Sequence, residues 1–188
     1  MSQITETAKD YFTSTTFKRD DVMDKLSEFL TVERGGRKLY EQALKCVRDA
    51  EVTQKFREFH EETVRHEQLL TNIIEKLGGD PTYMSKGAKL AHEKAQALLK
   101  SMTETQGLTP VQIEINAMEN IVLAETKDQS DWELLDHISH RAEDSKLANL
   151  LKPAVSEVES QENEHLNWTR QKMGQLALSS LATEDKTR

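Results

Sequence analysis

The most constraining stretch of this chain runs from Ser156 to Trp168, where a carboxylate and an imidazole break into a line of aliphatic side chains. Stepping by threes and fours gives Leu147, Leu151, Val155, Val158, Glu162, His165, Thr169, Met173 and Leu176. That spacing is the period of one helix face turned to a core. Glu162 and His165 stand three residues apart, so a helix sends both side chains out on the same face. A charge buried alone is costly, so something should pair with them, and a metal ion is the simplest candidate. For this pair alone, the plainer alternative is a polar heptad position or a helix tilted towards solvent.

The rest of the chain favours helices as strongly. Its 188 residues are one domain's worth, and only seven Gly and three Pro punctuate it, against abundant Glu, Lys, Leu and Ala. Lys and Arg total 25 against 33 Asp and Glu, a formal charge of −8. That balance, with no basic cluster, argues against duplex nucleic acid as a partner. Cys46 is the single cysteine, so neither an intrachain disulfide nor a four-cysteine metal knuckle can form. No run approaches a membrane span and the first residues do not read as a signal peptide, which sets the expectation of a cytoplasmic protein with no membrane partner.

In chain order, residues 1–18 form an N-terminal extension, with Ile4, Ala8, Tyr11 and Phe12 spaced for a short amphipathic helix or a frayed end. A strong helical period begins at Asp20 or Asp21, with Val22, Leu26, Phe29, Leu30, Gly36, Tyr40, Ala43 and Val47 on one side and Glu33 among them. After a turn near Asp49, a second helix reads Val52, Phe56, Phe59, Glu62, His66, Leu69, Leu70, Ile73 and Leu77, stopped by Gly78-Gly79-Asp80-Pro81. Residues 82–108 form a connection with a short helix from about Gly87 to Met102. Thr109, Pro110 and Gln112 mark the start of a third long helix. Its face is expected to carry Val111, Ile115, Met118, Val122, Glu125, Trp132, Leu135 and Ser139. Ala142 to Ser145 turns into the fourth, where Pro153 should kink or delay the helix. Residues 183–188 form a polar tail.

The polar interruptions share a level. If each pair of long helices packs antiparallel, Glu33 lies about 16 residues before the first turn, with Glu62 and His66 about 13 and 17 after it. Glu125 lies about 18 residues before the second turn, with Glu162 and His165 about 18 and 21 after it. Tyr40-Glu41 follows Glu33 by the same interval as Trp132-Glu133 follows Glu125, so the two halves read as diverged copies of one unit. Together they offer four carboxylates and two imidazoles, a set suited to iron or manganese.

On this helix plan and on Glu33, Glu62 with His66, Glu125, and Glu162 with His165, residues 20 to 180 resemble the ferritin-like superfamily. The resemblance implies an all-α, four-helix bundle with a long crossover between its second and third helices, and a di-iron or di-manganese centre with those six residues as ligands. It also implies oxidation of ferrous iron, or reduction of oxygen or peroxide, in a homodimer or larger homo-oligomer for which Ile4 to Phe12 and part of 82–108 are candidate contacts. From a different class, the chain could be a non-catalytic helical interaction or stress protein with a relic or structural metal site. Glu162-x-x-His165 has the superfamily's spacing, whereas Glu62-x-x-x-His66 is one residue longer. Three outcomes stay open for Glu62: a one-residue π-bulge, a ligand reaching round the histidine ring, or a carboxylate turned away. Glu119 and Glu159 are expected to be outer-layer or exposed; Tyr40, Trp132 and Trp168 to be core; and Cys46 to be a small buried hydrophobe.

Overall fold

In the computed structural model, which describes residues 14–182, the regular elements are five helices. They are α1 (Arg19–Cys46), α2 (Ala50–Lys76), α3 (Lys86–Thr103), α4 (Pro110–Arg141) and α5 (Ser145–Leu181). The fold is all-α, and none of the helices is long and apolar enough to cross a membrane. The segment Ile4 to Phe12 and the tail 183–188 lie outside the described residues.

Each boundary has a local cause. Asp49 caps α2 by accepting from Glu51 N and Val52 N, and Glu114 of α4 accepts from Arg48 N and Asp49 N at 3.1 and 2.9 Å. Gly78 ends α2 at φ +78°, where a side chain would be strained. Ser85 caps α3, Thr109 and Gln112 close a full capping box on α4, and Asp144 caps α5. Pro153 neither delays nor ends α5. It stands inside the helix on the exposed side, where water can take the carbonyl that loses its N–H partner.

Helices α1 and α2 form one hairpin and α4 and α5 another; α1 packs on α4, α2 on α5, and α3 runs along α1 and meets α4. The buried side chains fall into two apolar clusters. One gathers Leu26, Phe29, Leu30, Leu70, Trp132, Leu151 and Val158; the other gathers Leu39, Tyr40, Phe56, Phe59, Met118 and Ile121. Between them, on all four long helices, lies a buried polar layer. Aliphatic and aromatic burial on both sides holds the helices in register, so the polar layer need not hold the fold together.

Two expectations of burial are corrected. In the first half of α4 the buried face carries Glu114, Ala117, Met118 and Ile121, while Val111, Ile115 and Val122 are only half-buried. Glu114 turns inward to cap the α1–α2 turn, and that demand shifts the face by about one position. Cys46 is half-buried, with its thiol towards the Met102 carbonyl at 3.7 Å.

The α1–α3 contact depends on a glycine. A Cβ on Gly35 would lie 2.9 Å from Ala95 Cβ, so one helix would have to give way. Overpacking of this kind costs about 1–3 kcal/mol against about 1 kcal/mol gained in helix propensity. Gly35→Ala is therefore expected to lower stability by about 1 kcal/mol. In α5 a Cβ on Gly174 meets nothing within 4 Å, so Gly174→Ala is expected to raise stability by about the same amount. Thermal denaturation of both variants checks the contrast; shifts of the same sign would contradict it.

Candidate metal centre

The polar layer is built by helix geometry. Glu33 follows Leu30 by one turn fraction on α1, His66 follows Phe59 on α2, and Glu125 follows Ile121 on α4. On α5, Glu162 and His165 continue the face of Val158. All five residues are buried, at 2 % exposure or less. Ligand atoms of Glu33, His66 and Glu162 lie within 4.8 Å of one another, and so do those of Glu125, Glu162 and His165. Glu162 is common to both groups.

The two groups mirror each other. His66 Nδ1 lies 2.9 Å from Glu162 Oε1 and 3.7 Å from Glu33 Oε1. His165 Nδ1 lies 3.3 Å from Glu125 Oε2 and 3.7 Å from Glu162 Oε1. The imidazoles stack at 6.0 Å with 23° between their planes. With ligand bonds of about 2.1 Å and angles between about 90° and 120°, donors around one ion stand about 3.0–3.6 Å apart, close to these separations.

Hydrogen bonding separates an outer side of the centre from an inner one. On the outer side, His66 Nε2 meets Gln161 Oε1 at 2.8 Å, Gln161 Nε2 donates to Glu62 Oε1 at 3.2 Å, and Glu62 Oε2 meets His165 Nε2 at 2.8 Å. The amide orientation and the carboxylate together set both histidines with Nε2–H outward, leaving Nδ1 facing the acids. On the inner side, Glu33 Oε2, His66 Nδ1, Glu125 Oε2, both oxygens of Glu162 and His165 Nδ1 are buried without a hydrogen-bond partner. The short His66–Glu162 approach does not have hydrogen-bond geometry. Buried polar atoms are almost always satisfied, and six unsatisfied ones converging in one layer are an arrangement that a cation would satisfy.

The charges follow the same logic. Burial, and then the charge of Asp128, push Glu33 well above the usual carboxyl range, against the indole N–H of Trp132 donating to its Oε1 at 2.7 Å. Burial, Asp128 and Glu125 do the same to Glu162. Burial would raise Glu125 too, but the charge of His165 beside it brings it below the usual value. His165 is pushed up to about 9: burial opposes its charge, yet Glu125 and Glu62 outweigh it. Burial takes His66 down to about 4 despite its bond to Gln161.

The structure therefore brings together five of the six residues expected as ligands and sets Glu62 apart. Helix α2 has no π-bulge; Thr63 takes the inward position and donates to the Phe59 carbonyl, and Glu62 leaves the helix beside it, about one-third exposed. Its carboxylate serves the far nitrogen of His165, which also holds the Glu62 pKa down against the effect of burial. Glu62→Gln is expected to leave the parent's metal stoichiometry unchanged but weaken the affinity about 10–100-fold, since an outer partner that orients an imidazole is lost. Calorimetric titration with ferrous or manganous ion reads both quantities, and loss of one ion per chain would contradict the assignment.

Two residues of the layer escaped the sequence reading. Asp128 is buried and held well above the usual range by burial and by Glu125. It stands three residues after Glu125, the same interval that singled out Glu162 and His165, so the spacing was there to be read. Gln161, next to a ligand and polar but uncharged, gave no such signal. Glu119 and Glu159 are exposed, and Tyr40 packs edge-on to Phe56 at 5.3 Å and to His165 at 6.2 Å. The chain matches no protein-family model, and neither a curated protein nor a solved structure matches it.

Proposed function

We propose that this chain is a ferritin-like four-helix bundle, with α3 in its long crossover, that holds two iron or manganese ions and oxidises ferrous iron with oxygen or peroxide. The single observation that carries this reading is the set of six unsatisfied buried atoms converging around Glu162. The sharing of Glu162 between two donor groups, each with its own histidine and its own second glutamate, supports the number of ions. A nitrogen- and oxygen-only donor set without thiolate suits iron and manganese.

Glu33 and His66 would hold one ion, Glu125 and His165 the other, and Glu162 both. Two ferrous ions supply two electrons, enough to reduce oxygen to hydrogen peroxide with two protons. Trp132 fixes Glu33 through its Oε1, leaving Oε2 free for an ion. Gln161 and Glu62 hold the imidazoles with Nδ1 inward, and Asp128, its carboxyl raised well above the usual range by burial and by Glu125, lies beside Glu33. Phe59 and Tyr40 close the layer on one side and Trp132 on the other, so water is kept from the Nδ1 atoms.

Anaerobic titration of metal-free protein with ferrous iron tests the reading. The expected result is saturation at two ions per chain, followed by rapid oxidation and oxygen uptake on admitting air. His165→Ala is expected to abolish rapid oxidation with helicity retained. Failure of the parent protein to bind iron or manganese would overturn the proposal; metal binding without oxidation would leave a structural metal site.

A further inference from the structure

A cavity of about 630 Å³ lies between α1, α3 and α4, away from the seam that carries Glu62. Its shape follows from how α3 sits. Near its C-terminal end α3 is tied to α4, with Ser101 Oγ donating to Asn120 Oδ1 at 2.8 Å and Asn116 Nδ2 donating to the Ser101 carbonyl at 3.0 Å. Along α1 it is drawn in by the close Gly35–Ala95 approach. Towards its N-terminal end it leaves a cleft beside α4, floored by Gly35 and Gly36 and walled by Ala91 and Ala124. Leu90 of α3 and Leu123 of α4 flank this cleft at 58 % and 55 % exposure, large apolar side chains that nothing in the described residues covers. The lining extends along α1 from Lys25 to Leu39, about 21 Å at 1.5 Å per residue.

Charge adds a second, independent observation. The chain carries a formal −8, yet the charged residues lining this cavity are Lys25, Lys94 and Lys127 against Glu28 alone. Lys25 and Lys127 share that one carboxylate, at 2.8 and 3.3 Å. Lys127 also bonds Asp131, outside the lining. Lys94 makes no hydrogen bond or ion pair among the described residues. An apolar slot with excess positive charge along its lining, on an acidic protein, is complementary to a long apolar chain ending in an anion.

We infer that the cleft between α1, α3 and α4 binds a free long-chain carboxylate, with its head at the unpaired Lys94 and its tail laid along the apolar lining of α1, α3 and α4. The residues involved are none of those assigned to the metal centre, so this binding stands or falls independently of the metal reading. It gives the glycine and alanine surface of α1 and α3 a role beyond close helix packing.

The test is calorimetric titration of the full-length protein with laurate below its micellar concentration, beside dodecanol and dodecyltrimethylammonium. The expected result is saturable binding of one laurate per chain, at least about tenfold tighter than either comparator. Ala97→Trp, at an exposed position on the lining, is expected to abolish binding by filling the cleft. Lys94→Glu, also exposed, is expected to weaken laurate at least about tenfold and to leave dodecanol unchanged. Far-UV spectra and melting temperatures of both variants establish that the fold is kept. Absence of saturable laurate binding to the parent protein overturns the inference. So does laurate binding that survives both substitutions, and so does equal affinity for all three amphiphiles.

Discussion

Replacing Glu162 by alanine is expected to remove both ions at once, because this is the one side chain that belongs to both donor groups. Glu33→Ala or Glu125→Ala should remove one ion and leave the other. The effect on stability is large and depends on metal. Each site held at about a thousandfold excess of metal over its Kd adds about 4 kcal/mol to the folded state. The parent chain is thus expected to gain well over 10 °C in melting temperature on loading, and Glu162→Ala to gain almost nothing. Without metal the order reverses. Glu162 sits among Glu33, Glu125 and Asp128 with its carboxyl pushed well above the usual range, so its ionised form is a burden on the metal-free fold. Glu162→Gln keeps the shape and removes that burden, and is expected to raise the melting temperature of the metal-free chain. Elemental analysis and thermal denaturation with and without manganese decide the matter. Glu162→Ala that still binds two ions, or Glu162→Gln that melts lower than the parent in the absence of metal, would contradict it.

The second large effect is the pH dependence of the metal-free chain. Glu33, Glu162 and Asp128 have raised carboxyl pKa values, and His165 is pushed up to about 9 from 6.5. In each case the folded chain holds the proton more tightly than the unfolded one. Such a group contributes stability fully below its unfolded pKa and loses it as pH rises through the folded value. His66 has the opposite sign, being held neutral at about 4, so its contribution is complete above pH 6.5 and constant from there. Between pH 6.5 and 9 every contribution in the layer that changes therefore changes in the same direction. The metal-free protein is expected to lose stability over that interval, on the order of 3 kcal/mol from His165 alone. Metal loading should invert the trend, since ions compete with those same protons and bind more tightly as pH rises. Melting curves at half-unit steps would show it, and a metal-free melting temperature that is flat or rising from pH 6.5 to 9 would exclude it.

The helices themselves were written in the sequence because helix periodicity is local. The stripe on α5, the capping box at Thr109 and Gln112, and the Gly78 stop each depend on residues within a few turns. The level of the polar layer could also be read from the chain, since the two hairpin turns are short and the rise per residue is constant. Glu33, Glu125, Glu162, His165 and His66 meet where that counting puts them.

What the sequence by itself did not determine is which side of a histidine each acid serves. Glu62 and Thr63 are neighbours on α2, and both lie near the inner face. Only the position of α5 across the seam decides that Thr63 turns inward while Glu62 reaches the outer nitrogen of His165. Asp128 and Gln161 join the layer for the same reason: their roles depend on side chains about a hundred residues away or on the opposite helix, Glu33 in one case and His66 and Glu62 in the other. The cleft beside α3 is likewise a tertiary product. Its residues are ordinary small and apolar ones along three helices, and it exists because α3 is tied to α4 at one end and pressed on α1 along its length. Periodicity places a side chain on a face to within about a quarter turn; contacts between helices, at the scale of one or two ångströms, choose its partner.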